Sequence, residues 1–375
     1  MSRRVLVGLA IVVVATALFF GIRARRDFVD LEVYRTAAIR ALHAEPLYRP
    51  DDGHYQFKYW PAFAVAMAPL AFVSAETAKW LWFVGSIVLL GYFLTHAIRV
   101  LPDRRATERW LVWWTLAVTA KFIVKELVNG QTNVLLGLLA LSAGMSLARR
   151  RPILAGLAVG IAAFVKPYGL LLVPWLAVAA GIPAMAAAAA TIVAGLCLPA
   201  SLYGLDGNLS LLHDWYSTVT TTTAPNLLNA ENISFATMWA KWIGAGPSAT
   251  ALTWLTAACS LVVAGAVCWR RRSVGHPEYL ESGLLVLLMP VLSPQGWDYV
   301  LIAAVPAFVC LLDRLRQMGP AWRGVTVVGF ALTSLTIFDL LGRALYMRAM
   351  AASVMSVGAI LLIAALAHLR WRRLA

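Results

Sequence analysis

Apolar residues run along this chain in blocks, near 5–22, 78–98, 111–125, 131–148, 153–166, 168–184, 186–204, 248–269, 279–292, 297–312, 322–341 and 350–368. Short stretches rich in arginine, aspartate, proline and glycine separate them. A helix needs ~20 apolar residues to cross the hydrocarbon core, so the shorter blocks need support from neighbours at their ends. The pattern predicts an all-α, polytopic integral membrane protein with about twelve transmembrane helices. A further run at 60–74 contains Pro61 and Pro69 and is only ~15 residues long, short of a comfortable crossing. It reads as a re-entrant or steeply inserted helix, with a thirteenth span as the alternative. The first block follows Ser2-Arg3-Arg4 without a small-x-small cleavage signal, which predicts a retained signal anchor.

Arginine sets the direction. Arg149 to Arg151, Arg270 to Arg272, Asp313 to Arg316 and Arg370 to Arg373 belong on the cytoplasmic side. Alternating the helices between these anchors places residues 205–247, the Asn129-Gln131-Asn133 turn and the Ser293-to-Trp297 turn together outside. Residues 1–375 are then a single transmembrane domain with outer loops at 23–60 and 205–247. This is a multi-pass protein of the cell membrane whose polar loops meet on the outer face, periplasmic or extracytoplasmic.

Composition narrows the class. The chain has 375 residues, 61% hydrophobic and 13% charged, which excludes a soluble domain. Its net charge of +14 sits between apolar blocks, so membrane lipids rather than nucleic acid are the expected partners. The four cysteines, Cys197, Cys259, Cys268 and Cys310, lack metal-ligand spacing, and neither metal nor cofactor is expected.

The candidate chemistry begins in the segment from Asp27 to Pro61, far longer than the ~2 to 8 residues that usually join two helices. Leu31, Tyr34, Ala38 and Leu42 recur at helical spacing, predicting an amphipathic helix in the headgroup plane with Asp30 near its N-terminus. Asp30 and Glu32 offer carboxylates beside Tyr34, Tyr48, Tyr55 and Tyr59, aromatic planes for a sugar, and Lys58, a cation for a phosphate. Lys166 with Pro167 and Tyr168 breaks an apolar block at membrane depth, where a lysine is costly enough to need a partner or a role. Asp298 starts an apolar run and must be capped, paired or used. Lys121 and Lys125 share a helix face, Glu126 is placed to pair locally, and Asn229 and Glu231 suit hydrogen bonds to a polyol acceptor.

Asp30-x-x-x-Tyr34, Tyr48 and Tyr59-Trp60-Pro61, followed by an apolar run to Pro69-Leu70, resemble the opening of the polyprenol-phosphate-sugar-dependent glycosyltransferases of family 87. That family includes mannosyltransferases of phosphatidylinositol mannoside synthesis and a related arabinofuranosyltransferase. Asn129-Gly130-Gln131-x-Asn133, Phe164-Val165-Lys166-Pro167-Tyr168 and Ser293-Pro294-x-x-Trp297 resemble its later segments, in order. The resemblance implies a GT-C-like helical bundle with a carboxylate on the first outer loop. It implies a hexosyltransferase that moves a hexose, mannose first, from a polyprenyl-phosphate sugar donor to a lipid-linked or cell-envelope glycan acceptor on the outer face. An arabinofuranosyltransferase and a non-enzymatic lipid or solute transporter are the alternatives. Asp30 would act on the acceptor hydroxyl. Where the family commonly carries histidine after its late tryptophan, this chain reads Trp297-Asp298-Tyr299, making Asp298 a second catalytic candidate. Lys58, Lys166 and Arg343 are the candidates for the donor phosphate. Glu32, Tyr34, Tyr59, Asn129, Gln131, Asn133 and Trp297 are the candidates for sugar or acceptor.

Overall fold

The computed structural model describes residues 28–375. The signal-anchor run at 5–22, the basic residues that follow it and Asp27 lie outside the described residues. The described residues form helices α1 (Val29–Leu42), α2 (Pro61–Ala66), α3 (Ala75–Arg99), α4 (Glu108–Asn129), α5 (Asn133–Ala148), α6 (Pro152–Val165), α7 (Val173–Ala179) and α8 (Ile182–Cys197). They continue as α9 (Ala200–Asn226), α10 (Phe235–Ile243), α11 (Pro247–Trp269), α12 (Pro277–Leu292), α13 (Val305–Arg314), α14 (Pro320–Ser334), α15 (Phe338–Ala351) and α16 (Val354–Trp371). No strand occurs among the described residues, only an isolated antiparallel bridge between Asn232 and Trp297.

Local chemistry sets the ends of these helices. Ser74, Thr107 and Ser234 cap α3, α4 and α10 by accepting from the amides of Thr77, Trp110 and Thr237. α6 stops at Val165 because Lys166 precedes a proline and takes extended backbone, φ −150° and ψ 131°. α4 ends on Gly130 in the left-handed region at φ 70°.

Among the described residues, length and composition qualify three helices as membrane spans, Ala75–Arg99, Pro247–Ser273 and Val354–Trp371. Two bent pairs could each supply another: α8 with α9, bent by 91°, and α14 with α15, bent by 96°. The hydropathy blocks number more than this because a sliding pattern measures apolar composition, not helix continuity; prolines and glycines cut several blocks into pieces. The 60–74 run is one such case, a six-residue α2 followed by a five-residue 3-10 turn, Ala68–Phe72.

At the centre, α12, the 3-10 segment Asp298–Ala304 and α13 are buried almost along their whole length. α5 lies hard against this axis: a Cβ on Gly137 would come within 2.6 Å of the Ala303 carbonyl oxygen. Outward-facing Trp80, Leu81, Val84 and Val88 on α3 and Trp254, Leu255 and Val262 on α11 are exposed, as a lipid-facing surface requires.

The bundle has two distinct poles. Asp103, Ser273, His276, Arg314 and Arg373 meet at one, around a cavity of about 280 Å³. α4 and α12 both run from that pole to the other, α4 spanning about 33 Å at 1.5 Å per residue. Arg370, placed by its sequence in a basic tail, is instead fully buried. Its guanidinium donates to Glu281 Oε1 at 3.1 Å and to the Pro277 carbonyl at 2.9 Å, while Trp175 Nε1 donates to Glu281 Oε2 at 2.8 Å. This buried pair ties α16 to α12 and the tryptophan ties α7 to the same carboxylate.

Candidate functional site

At the second pole a cavity of about 760 Å³ opens between α1, the loop before α2, the α4–α5 turn, the α6–α7 break, α9 and the turn after α12. Asp30 reaches it from the first turn of α1. Tyr34, 0% exposed, anchors that helix: its ring meets Tyr59 and Phe63 at 5.1 Å and Trp82 at 5.7 Å. The hydroxyls of Tyr34 and Tyr59 bond to each other at 2.7 Å, and burial pushes both phenols well above the ordinary tyrosine value, so both stay protonated.

The loop carrying Lys58 and Tyr59 is held from both sides. Tyr48 donates to the Tyr59 carbonyl at 2.7 Å, Trp215 Nε1 on α9 donates to the Lys58 carbonyl at 3.2 Å, and the rings of Trp60 and Trp215 stack at 3.7 Å. A bidentate pair, Arg40 to Asp52 at 2.5 and 2.8 Å, closes the outer part of the loop, and the guanidinium holds the Asp52 carboxyl below its usual range. Lys58 lines the cavity, and burial lowers its ammonium, partly opposed by the Asp30 charge.

Gln131 joins the principal charges. Its Nε2 donates to Asp30 Oδ2, and its Oε1 accepts from Lys166 Nζ at 3.0 Å. Lys166 also sits 5.2 Å from the Tyr59 ring centre and 6.0 Å from that of Tyr299. Because Gly130 packs against α1, a Cβ there would lie 3.0 Å from Leu31 Cβ and 3.1 Å from Phe28 Cδ1. This close approach is what brings Gln131 beside Asp30. A carboxylate and an ammonium thus share one amide on one cavity wall.

Another wall is a sandwich of two segments, around Asn232 and Gly296. Asn232 donates through Nδ2 to the carbonyls of Asn226 and Pro294 and accepts from the Gly296 amide, while the Ile233 amide donates to the Gly296 carbonyl at 2.7 Å. This pinning brings Asn229, Glu231, Gln295 and Trp297 to the cavity, with Trp297 and Tyr299 stacked at 6.3 Å.

Of the residues singled out in the sequence, Asp30, Tyr55, Lys58, Tyr59, Asn129, Gln131, Lys166, Tyr168, Asn229, Glu231 and Trp297 line this one cavity. The others lie off its wall for identifiable reasons. Glu32 turns to Lys79, 3.3 Å away on α3, and Tyr34 lies behind Tyr59. Asn133, fully buried, donates to Glu126, which also accepts from the Val134 amide. Arg343 is exposed on α15. Asp298 has no exposed side-chain surface and accepts from Lys121 and Lys125, both within 3.0 Å. Trp215, Thr223 and Met289 also line the cavity. Nothing local marked them, because each is one apolar or hydroxyl residue within a long helix.

Residues beyond Tyr299 do not line the cavity but brace it. Lys121 donates to the Thr336 carbonyl at 2.8 Å, Lys241 to the Met350 carbonyl at 3.2 Å and Ser356 to the Ile233 carbonyl at 2.9 Å.

The model of glycosyltransferase family 87 matches residues 57–294, well over half of the chain. The chain belongs to glycosyltransferase family 87. It is therefore a membrane glycosyltransferase, an enzyme that moves a sugar from a donor to an acceptor. The match takes in Lys58, Tyr59, Asn129, Gln131 and Lys166 of this glycosyltransferase, whereas Asp30, Trp297 and Tyr299 lie outside it. No curated protein and no solved structure matches the chain.

Proposed function

We propose that this enzyme transfers a hexose, mannose, from a polyprenyl phosphate to a lipid-linked or cell-envelope acceptor on the outer face of the membrane, within a GT-C-like bundle of about twelve spans. The observation that carries the reading is the Asp30–Gln131–Lys166 chain on the wall of an aromatic-lined cavity. A sugar on a lipid phosphate already has a good leaving group, so the protein must accept a proton from an alcohol and neutralise a departing phosphate. In the proposed step the acceptor oxygen bonds to the anomeric carbon as the bond from that carbon to the phosphate oxygen breaks. The hydroxyl proton passes to Asp30, and polyprenyl phosphate leaves as a monoester beside Lys58 and Lys166. Gln131 bonds to both the base and the cation and so fixes their positions for the substrate.

The two poles support the outer-face assignment, since the basic anchors Arg314 and Arg373 stand at the end opposite the cavity. A polyprenyl chain stays in the bilayer, each buried CH₂ contributing about 0.8 kcal/mol, and Val33, Leu171, Val219 and Leu292 give the cavity an apolar flank for it. The test is transfer by purified protein from radiolabelled polyprenyl-phosphate mannose and, in parallel, the arabinose donor. Mannose transfer that Asp30→Asn abolishes while folding persists is expected. Turnover of the arabinose donor alone would reassign the sugar, and turnover of neither would overturn the reading.

A further inference from the structure

Asp298 and Glu231 belong to one chain of charges. Lys121 Nζ lies 3.0 Å from Asp298 Oδ2, Lys125 Nζ lies 2.9 Å from both Asp298 oxygens, and the same Nζ lies 2.7 Å from Glu231 Oε1. Two cations thus alternate with two carboxylates. Their side chains grade from buried to open: Lys121 is 5% exposed, Asp298 0%, Lys125 22% and Glu231 39%. Only Glu231 reaches the cavity. The arrangement makes Asp298 the internal counter-charge that holds Lys125, and Lys125 the group that aims Glu231.

Backbone geometry reinforces that aim. The Asp298 amide donates to the Glu231 carbonyl at 3.1 Å, the Glu231 amide is capped by Asn229 Oδ1 at 2.9 Å, and Asn232 is bridged to Trp297. A carboxylate offers about four acceptor positions, so about three remain for a ligand after Lys125. Beside it stand the Trp297 ring and the Asn229 and Gln295 side chains. An acceptor-only anion with a flat apolar ring and amides alongside it suits a pyranose: vicinal hydroxyls donate to the anion and the C–H face lies on the ring.

We propose that Glu231, aimed by Lys125 and backed by Trp297, is a hydroxyl-binding residue for the acceptor sugar, on a wall of the same cavity as the Asp30–Gln131–Lys166 chain. This rests on the transferase reading above and assigns its acceptor side. Glu231 takes no proton and makes no bond in the transfer; it selects which sugar presents a hydroxyl to Asp30.

Octyl mannoside serves as the acceptor probe, with its binding to nanodisc-embedded protein measured by calorimetry in the absence of donor. Glu231→Gln keeps the shape and removes the charge, and is expected to weaken binding at least ~10-fold, about 1.4 kcal/mol. Thermal unfolding within a few degrees of wild type reports that the variant is folded. In transfer assays the apparent Michaelis constant for octyl mannoside should rise and that for the donor should not. Unchanged mannoside binding in Glu231→Gln, or no binding by wild type, overturns the assignment. Mannoside binding that depends on Glu231 with no consumption of the donor would instead overturn the donor reading alone.

Discussion

Gly130→Ala tests whether the approach of α4 to α1 builds the site. Gly130 sits at φ +70°, where an L side chain costs about 1–2 kcal/mol. Its new Cβ would meet Leu31 Cβ at 3.0 Å and Phe28 Cδ1 at 3.1 Å, and ordinary contact begins about 0.5 Å farther out. Because Leu31 is 1% exposed and held in its pocket, α1 must shift as a unit, carrying Asp30 away from Gln131. A misplacement of 1 Å costs on the order of 100-fold in rate, so half of that predicts ~10-fold lower kcat/KM. The stability loss of about 1–2 kcal/mol should lower the Tm by only a few degrees in a chain of this size. Gly91→Ala is the control: nothing lies within 4 Å of its Cβ position, and alanine inside a helix should be neutral or slightly stabilising. The assay is initial-rate transfer from polyprenyl-phosphate mannose in nanodiscs, with thermal unfolding in parallel. Turnover by Gly130→Ala within about twofold of wild type would refute the reasoning. So would equal impairment of Gly91→Ala, which would expose a general sensitivity of the bundle.

Other outcomes follow from the same geometry. Lys166→Ala removes the ammonium and leaves Gln131 Oε1 without its donor; kcat/KM should fall ~30-fold, about 2 kcal/mol, and a near-wild-type rate in well-folded protein would show the lysine to be a bystander. Lys58 has its ammonium lowered by burial, so it loses charge as pH rises through a value below that of ordinary lysine. Donor use should therefore decline on the alkaline side; Lys58→Arg, charged throughout, should move that limb upward, and an unmoved limb would remove Lys58 from the phosphate site. Arg370→Met leaves buried Glu281 with Trp175 as its donor and only the more distant Arg271, at 3.6 Å, as a cation, and should destabilise by about 3–5 kcal/mol. Adding Glu281→Leu should restore most of the Tm, and no recovery would mean that the pair is not what α16 contributes to stability.

Much of the site was legible because its signals are local. Asp30 in the first turn of a helix, the proline that stops α6 after Val165 and the glycine that stops α4 are all set by neighbours in sequence. Local pairing of Glu126 was legible for the same reason, but its partner Asn133, seven positions on, reads in the sequence as a sugar or acceptor ligand. The Lys125–Asp298 and Glu281–Arg370 partnerships span 173 and 89 positions, and no periodicity in either segment announces the other. Burial of Arg370 was not legible because a basic cluster beside an apolar helix normally marks water, whereas here a carboxylate lies inside the bundle. Bends of 91° and 96° fall inside two apolar blocks, 186–204 and 322–341, that hydropathy reads as single straight rods.

The braces from Thr336, Met350 and Ser356 reach the cavity's outer wall although nothing beyond Tyr299 lines it. On the ribosome every lining residue is therefore made before the supports that hold the Lys121–Asp298 pair and the Ile233 turn in place. A nascent chain would contain the acid, the lysines and the aromatic planes yet remain unable to align them until α15 and α16 are inserted. Insertion of those two helices thus becomes the event that switches the catalyst on. A premature stop near residue 335 would leave the cavity lining intact in composition and the enzyme silent.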